Sequence, residues 1–319
     1  MEELYEWIVD IAYRERALLV RAGSLIIAPA MATELSYDAI EVGQKFGPWE
    51  YPLAERIGRY MEATENAHPW HGERSPWGPP VAPPSILGVA AMRFMDTIGP
   101  VPPGTLHTKQ EIETAAALRL DRRPIAYGEF VDKFEKRGRN YFTFEARFRD
   151  ETGLIIGRSR VTMAFPAEKG GEGGEKEARE EPERKGELKA ITRTLTQEKM
   201  TAYSEDSANA ARGESIHVQP KVAKKAGFDR TVAQGLMAAD YMSELMTAEF
   251  GKAWFEFAAL SVRFLRPVLC GDTVTANGRV AEEVAEGAVV RKVYEVWAEN
   301  ERGEAVAAGH AHSLVMPGR

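Results

Sequence analysis

His217 is the residue whose type and setting could do chemistry. It stands in the segment TAYSEDSANAARGESIHVQPKVAKKAGFDRTVAQGLM (201–237). An imidazole titrates near pH 6.5, so it holds either protonation state close to neutrality and can take up and return one proton. Gly235, later in the segment, opens a long apolar stretch. If that stretch is a helix, its first N–H groups have no intrahelical acceptor and form a preorganised donor site. Glycine also lets a ligand approach that backbone closely. A proton shuttle beside such a donor suits a reaction in which negative charge builds on a carbonyl-type oxygen.

The first half repeats the constellation. In RYMEATENAHPWHGERSPWGPPVAPPSIL (59–87), Tyr60 aligns with Tyr203, Asn66 with Asn209 and His71 with His217. The approach to the following apolar run reads Val81-Ala82-Pro83-Pro84, against Val232-Ala233-Gln234-Gly235. Proline has no backbone N–H, so Pro84 cannot supply the donor that Gly235 can. Chemistry is therefore expected in the second half, with the first half shaping a cavity. His68 and His71 form a bare H-x-x-H without a clear third ligand, and no metal is expected there.

The elements that must position these residues also occur twice. A polar stretch leads into a helical run, SILGVAAMRFMDTI (85–98) or LMAADYMSELMTAEF (236–250), with apolar residues at three- and four-residue spacing. Period-two segments come next: 140–150, then LIIGRSRVTMAF, 289–300, and AVAAGHAHSLVM, with turn residues at Asp150–Gly153 and Asn300–Gly303. One long helix followed by a meandering antiparallel sheet is an α+β layout. Between the two units, residues 167–188 are almost wholly Glu, Lys, Arg and Gly, the composition of a flexible linker. The expected organisation is a helical extension over 1–30, a first domain over 31–166, the linker, and a second domain over 189–319. Three matches support a duplication: 79–87 with 230–238, 148–166 with 298–317, and 116–129 with 259–272, the last placing Pro124 on Pro267 and Gly128 on Gly271.

The bulk numbers narrow the function class. The chain has 319 residues, 44% apolar and 28% charged, which suits a globular protein of about two domains. Its net charge of −7 argues against a nucleic-acid groove. One cysteine excludes a disulfide framework or a cysteine-rich metal site. No apolar run reaches the length of a membrane span, and the N-terminus lacks the pattern of a secretory signal, so a cytoplasmic location is expected.

The stretch HVQPKVAKKAGFDRTVAQGLM resembles the MaoC-like, type 2 (R)-specific enoyl-CoA hydratase family, whose motif runs Y-x-x-x-S-G-D-x-N-P-x-H, A-x-x-x-G-F and A-x-G. His217, Ala223, Gly227, Phe228, Ala233 and Gly235 fall in the corresponding places, and VRFLRPVLCGDTV (262–274) resembles the family's downstream strand. The likeness covers roughly 190–319, and more faintly 35–166, which resembles the degenerate N-terminal dehydratase domain often fused to it. It implies a double hot-dog fold, each sheet wrapped around a long central helix, and a hydratase or dehydratase acting on acyl-CoA. CoA would arrive with the substrate, and no cofactor is required. A homodimer or higher homo-oligomer is compatible with it. The family's Asp before the His is missing. Counting five residues back gives Arg212, while an insertion at 210–212 would put Asn209 in its place, with Asp206, Glu205 or Glu214 as alternative substitutes. Asn209, Asp206 and Gly235 join His217 as candidate catalytic groups. His71, Asn66, Ala233, Gln234 and Arg263 are candidate substrate contacts, and Arg266, Lys221, Lys224 and Lys225 could meet CoA phosphates. A thioesterase and a non-catalytic acyl-CoA-binding subunit are the alternative readings.

Overall fold

The computed structural model describes residues 34–166, 186–204 and 207–316. The expected extension over 1–30, linker residues 167–185 and Asp206 lie outside the described residues. The first unit contains β1 (Lys45–Glu50), α1 (Leu53–Thr64), α2 (Pro69–Gly72), α3 (Ile86–Ile98), β2 (Leu106–Thr114), β3 (Pro124–Lys136), β4 (Arg139–Asp150) and β5 (Ile155–Ala164). The second contains β6 (Ile191–Thr194), α4 (Gln197–Ser204), α5 (Ala208–Ala211), α6 (Pro220–Lys225), α7 (Gly235–Phe250), α8 (Ala253–Glu256), β7 (Ala259–Phe264), β8 (Thr273–Glu286), β9 (Val289–Glu299) and β10 (Ala305–Val315). Among the described residues no helix is long and apolar enough to cross a membrane.

Turn chemistry fixes the last hairpin of each unit. Asp150 Oδ1 accepts the amides of Thr152 and Leu154, and Gly153 takes φ +89°. Asn300 Oδ1 accepts those of Arg302 and Glu304, and Gly303 takes φ +73°. Each Asx side chain thus stands in for a backbone acceptor, and each glycine supplies the left-handed residue.

The strands form one sheet in the order β1-β3-β4-β5-β2-β7-β10-β9-β8-β6, reading the same from either end once the units are exchanged. The two sheets expected from the sequence are therefore fused edge to edge. β2 and β7 pair antiparallel, with Lys109 opposite Arg263 and Ile112 opposite Leu260. Fusion satisfies the backbone groups of two strands that would otherwise be exposed edges. The central helices α3 and α7 pack on the sheet, with Phe94 against Phe144 in one unit and Phe250 against Trp254 and Tyr294 in the other. Gly88 lets the halves meet: a Cβ there would lie 3.2 Å from Leu236 Cδ2.

Two details of the expected organisation change. The carbonyls of Leu118 and Val268 accept the amides of Ala82 and Ala233, and Val81–Arg119 matches the Val232–Leu269 bridge. Leu118 is therefore equivalent to Val268, and the pairing of Pro124 with Pro267 is out of register. Pro124 opens β3, whereas Pro267 precedes the turn before β8. Gly128 lies inside β3, where a Cβ would strike Phe144, while Gly271 is a turn residue at φ +92°. Secondly, Glu187 and Leu188 are not linker. Their amides donate to Gly278 of β8 at 2.9 and 3.2 Å.

Candidate active site

The loop carrying His217 is fastened to the strand-like segment that leads into α7. Val232 donates its amide to the Ile216 carbonyl at 3.1 Å. Gln197 of α4 donates to the His217 carbonyl at 3.0 Å and accepts the Thr231 hydroxyl at 2.5 Å. The ring is oriented through Nδ1, which lies 2.6 Å from the Val232 carbonyl. A carbonyl only accepts, so Nδ1 carries the proton and Nε2 keeps its lone pair. Burial, helped by repulsion from the buried Arg93, lowers the His217 pKa to about 4. The imidazole is thus neutral near pH 7, a ready acceptor rather than the half-protonated group expected from its free titration.

The glycine signature has a structural basis as well. α6 ends with Gly227 at φ +89°, where Phe228 donates to the Ala223 carbonyl and Gly227 to that of Lys224. This is a Schellman stop, which explains the A-x-x-x-G-F spacing as a helix terminus. It turns the chain back toward Val232.

Gly235 is the first residue of α7, so its amide has no acceptor within the helix. Gln234 at the N-cap makes no capping bond, and its Oε1 is buried without a partner among the described residues. A Ser, Thr, Asp or Asn would normally satisfy these donors. Here the helix start is left available to a ligand. The Phe264 ring closes on it from β7, leaving only 2.7 Å for a Cβ at position 235. Ala233 is buried, and its amide is spent on Val268.

The first half holds His71 in the same way: Nδ1 lies 2.7 Å from the Val81 carbonyl, the ring is 6% exposed, and Nε2 is buried without a partner among the described residues. Burial brings this pKa to about 4 too. Asn66, 7% exposed, accepts the His68 amide. Trp70, Trp77 and Phe255 crowd the neighbourhood, with Trp77 Nε1 donating to Glu256 at 2.7 Å. Ala82, Pro83, Pro84 and Phe255 line the small cavity before α3.

Other candidates sit elsewhere. Asn209 is on α5, its Oδ1 accepting from Arg212 at 2.7 Å, and Arg212 also pairs with Glu214 at 3.0 Å. None of these is hydrogen-bonded to His217. Arg263 alternates with the inward Leu260, Val262 and Phe264 of β7 and is exposed on the opposite face of the sheet, so the structure does not bring it to the site. Arg93 and Asp96 of α3 were not identified from sequence. Arg93 donates to the Tyr203 carbonyl at 3.1 Å and pairs with Asp96 at 3.5 Å, and Asp96 accepts the Ala208 amide at 3.3 Å. The first half's central helix therefore reaches the start of α5, the helix that holds Asn209. The signal was present as a lone arginine within an apolar helical run. A cleft lined by Arg59, Glu62, Gln197, Glu198, Thr201 and Ala202 opens between α1 and α4, against the Gln197 clamp.

Among solved structures, a MaoC-like dehydratase is similar over 88% of this chain and 99% of its own, with a TM-score of 0.67 and 16% identity. The peroxisomal multifunctional enzyme type 2 from Drosophila melanogaster matches 86% of this chain and 48% of its own, at TM-score 0.59 and 17% identity. A conserved hypothetical protein from Mycobacterium tuberculosis with a double hotdog fold matches over 89% and 98%, at TM-score 0.58 and 11% identity. The chain is a double hot-dog protein. Residues 179–301 match the family model for the MaoC like domain. No curated protein sequence matches the chain.

Proposed function

We propose that the protein is an acyl-CoA hydratase or dehydratase, adding water reversibly to a 2-enoyl-CoA to give a 3-hydroxyacyl-CoA. The observation that carries this reading is the Nδ1 bond of His217 to Val232, three residues before the uncapped helix start at Gly235. It leaves Nε2 of a neutral imidazole without a partner among the described residues, on a loop bonded to the segment that runs into the uncapped helix start.

In the hydration direction the thioester oxygen accepts the Gly235 N–H. Nε2 of His217 takes a proton from water as the water oxygen bonds to the β-carbon. The π pair moves toward the α-carbon and thioester oxygen, where the amide holds the developing enolate charge. The imidazolium then returns its proton to the α-carbon, restoring the neutral ring. A conjugate acid of low pKa gives that proton up readily. Asn209 of α5 would hold the water through its amide, which can bind a water but cannot deprotonate it, and Asp206, three residues earlier in the sequence, is the alternative. Gln234 and Ala233 border the thioester, and His71 and Asn66 lie in the half that shapes the acyl cavity. No metal or redox cofactor enters this scheme.

A panel of enoyl- and 3-hydroxyacyl-CoA thioesters followed by mass spectrometry tests it. Gain or loss of one water is expected. Release of free CoA would make the protein a thioesterase, and binding without any mass change a non-catalytic acyl-CoA-binding protein.

A further inference from the structure

α7 is buried along most of its length, and one of its buried side chains is a carboxyl group. Asp240 is 3% exposed and lies among Ala238, Ala239, Tyr241 and Met242, all buried. The Tyr203 hydroxyl donates to Oδ2 at 2.6 Å. The hydroxyls of Tyr60 and Ser85, 2.7 Å apart, face the same carboxyl. Oδ1 has no partner among the described residues, and neither does the hydroxyl of the adjacent Tyr241. A buried acceptor left unpaired opposes folding, and such groups are rare in the absence of a ligand or a role. Neither the imidazole nor the helix-start amide of the proposed reaction uses this one.

Placement suggests the role. The four groups come from α1, the residue preceding α3, α4 and α7, so both halves build the cluster at their seam. Asp240 is five residues beyond Gly235, about 7.5 Å along the helix axis. A thioester with its oxygen on the Gly235 amide would have the far end of a short acyl chain within reach of that level. One unpaired carboxyl oxygen, ringed by hydroxyls that donate and accept, matches a hydroxyl, which also does both. A carboxylate at the same place would be repelled by Asp240.

We propose that Asp240, with Tyr203, Tyr60 and Ser85, binds a hydroxyl group at the distal end of the acyl moiety, so that the preferred thioesters are short and hydroxylated rather than plain alkyl. This rests on the acyl-CoA reading above. Burial raises the Asp240 pKa to about 7, so near neutrality the group is available as both acceptor and donor.

The test is calorimetric binding of 4-hydroxybutanoyl-CoA and butanoyl-CoA, both saturated, to the full chain. The wild type should bind the hydroxylated thioester at least about tenfold tighter, because a site with an unpaired polar group discriminates against ligands that leave it unpaired. Asp240→Leu should erase that preference while holding butanoyl-CoA at least as well. A wild type without preference overturns the inference whether or not the variant folds, and so does a folded Asp240→Leu protein that keeps the preference. Crotonyl-CoA turnover, measured separately, keeps the two readings apart. Preference without turnover removes only the hydratase, and turnover without preference removes only the hydroxyl site.

Discussion

His71 and His217 are held by the same bond in the two halves of the molecule, Nδ1 to the carbonyl of Val81 at 2.7 Å and of Val232 at 2.6 Å. The frame around each is also repeated, down to the 2.8 Å bonds from Ala82 to Leu118 and from Ala233 to Val268. The halves differ in the residues just beyond the valine. The first half continues through Pro83-Pro84 and a wall of Trp70, Trp77 and Phe255, and the second through Gln234 into the bare amide of Gly235. The two halves thus share the buried imidazole, whereas only the second has a glycine N–H at its helix start.

In the proposed reaction, burial of His217 sets the acid limit. With its pKa near 4, the base stays neutral through the mildly acidic range. kcat/KM for hydration should hold to about pH 5 and fall below it. A limb centred near 6.5 would show a solvated imidazole.

Stability should fall over a higher pH range. His71, His107 and His217 each drop to about 4, chiefly through burial. The folded state therefore binds fewer protons than the unfolded chain, and this stability is complete above about pH 6.5 and lost as pH falls toward 4. Asp240, raised to about 7 by burial, acts in the opposite sense, its contribution being lost as pH rises through 7. Burial also lowers His68 and His312 and raises Asp96 and Glu244, so five imidazoles oppose three carboxyls and a net loss of stability on acidification is expected, each titrating group changing it by at most about 1.4 kcal/mol per pH unit. Urea midpoints at pH 7 and pH 5 would measure it, and equal midpoints would contradict it.

Gly235→Ala would put a Cβ 2.7 Å from Phe264 Cδ1. Strain of this kind costs about 1–3 kcal/mol, and any shift of α7 moves the donor amide. Thermal melting should show the loss of stability, and kcat should fall more than KM rises. A variant with wild-type kcat would remove Gly235 from the oxygen-binding role.

Arg93 links the halves electrostatically, pairing with Asp96, holding the Tyr203 carbonyl and depressing the His217 pKa. Arg93→Met should move the acid limb of kcat/KM upward. It should also cost about 3 kcal/mol, since truncating one member of a buried pair leaves the other uncompensated. An unmoved limb would place the guanidinium too far from the ring to matter.

Much of this was legible in the sequence. The run after Gly235, the period-two strands and the Asp150–Gly153 and Asn300–Gly303 turns all carry local signals, because helix periodicity and turn chemistry are properties of neighbours. The pairing of β2 with β7 is not local, and neither segment announces which edge it will meet. The Pro124–Pro267 match failed for a related reason: similar short strings recur in similar strands, and only the Leu118 and Val268 bonds fix the register. Arg93 and Asp240 are charged residues buried within mainly apolar helices. Read singly, such residues pass for the polar face of an amphipathic helix; their significance appears only once the structure shows both of them buried.

The most direct test compares hydration of one enoyl-CoA by the wild type, His217→Ala and His71→Ala. His217→Ala should lose at least about 100-fold in kcat, the lower range for removing a general base, while His71→Ala keeps its kcat within a few-fold. Comparable turnover in His217→Ala, or the larger loss in His71→Ala, would contradict the assignment of the chemistry to the second half.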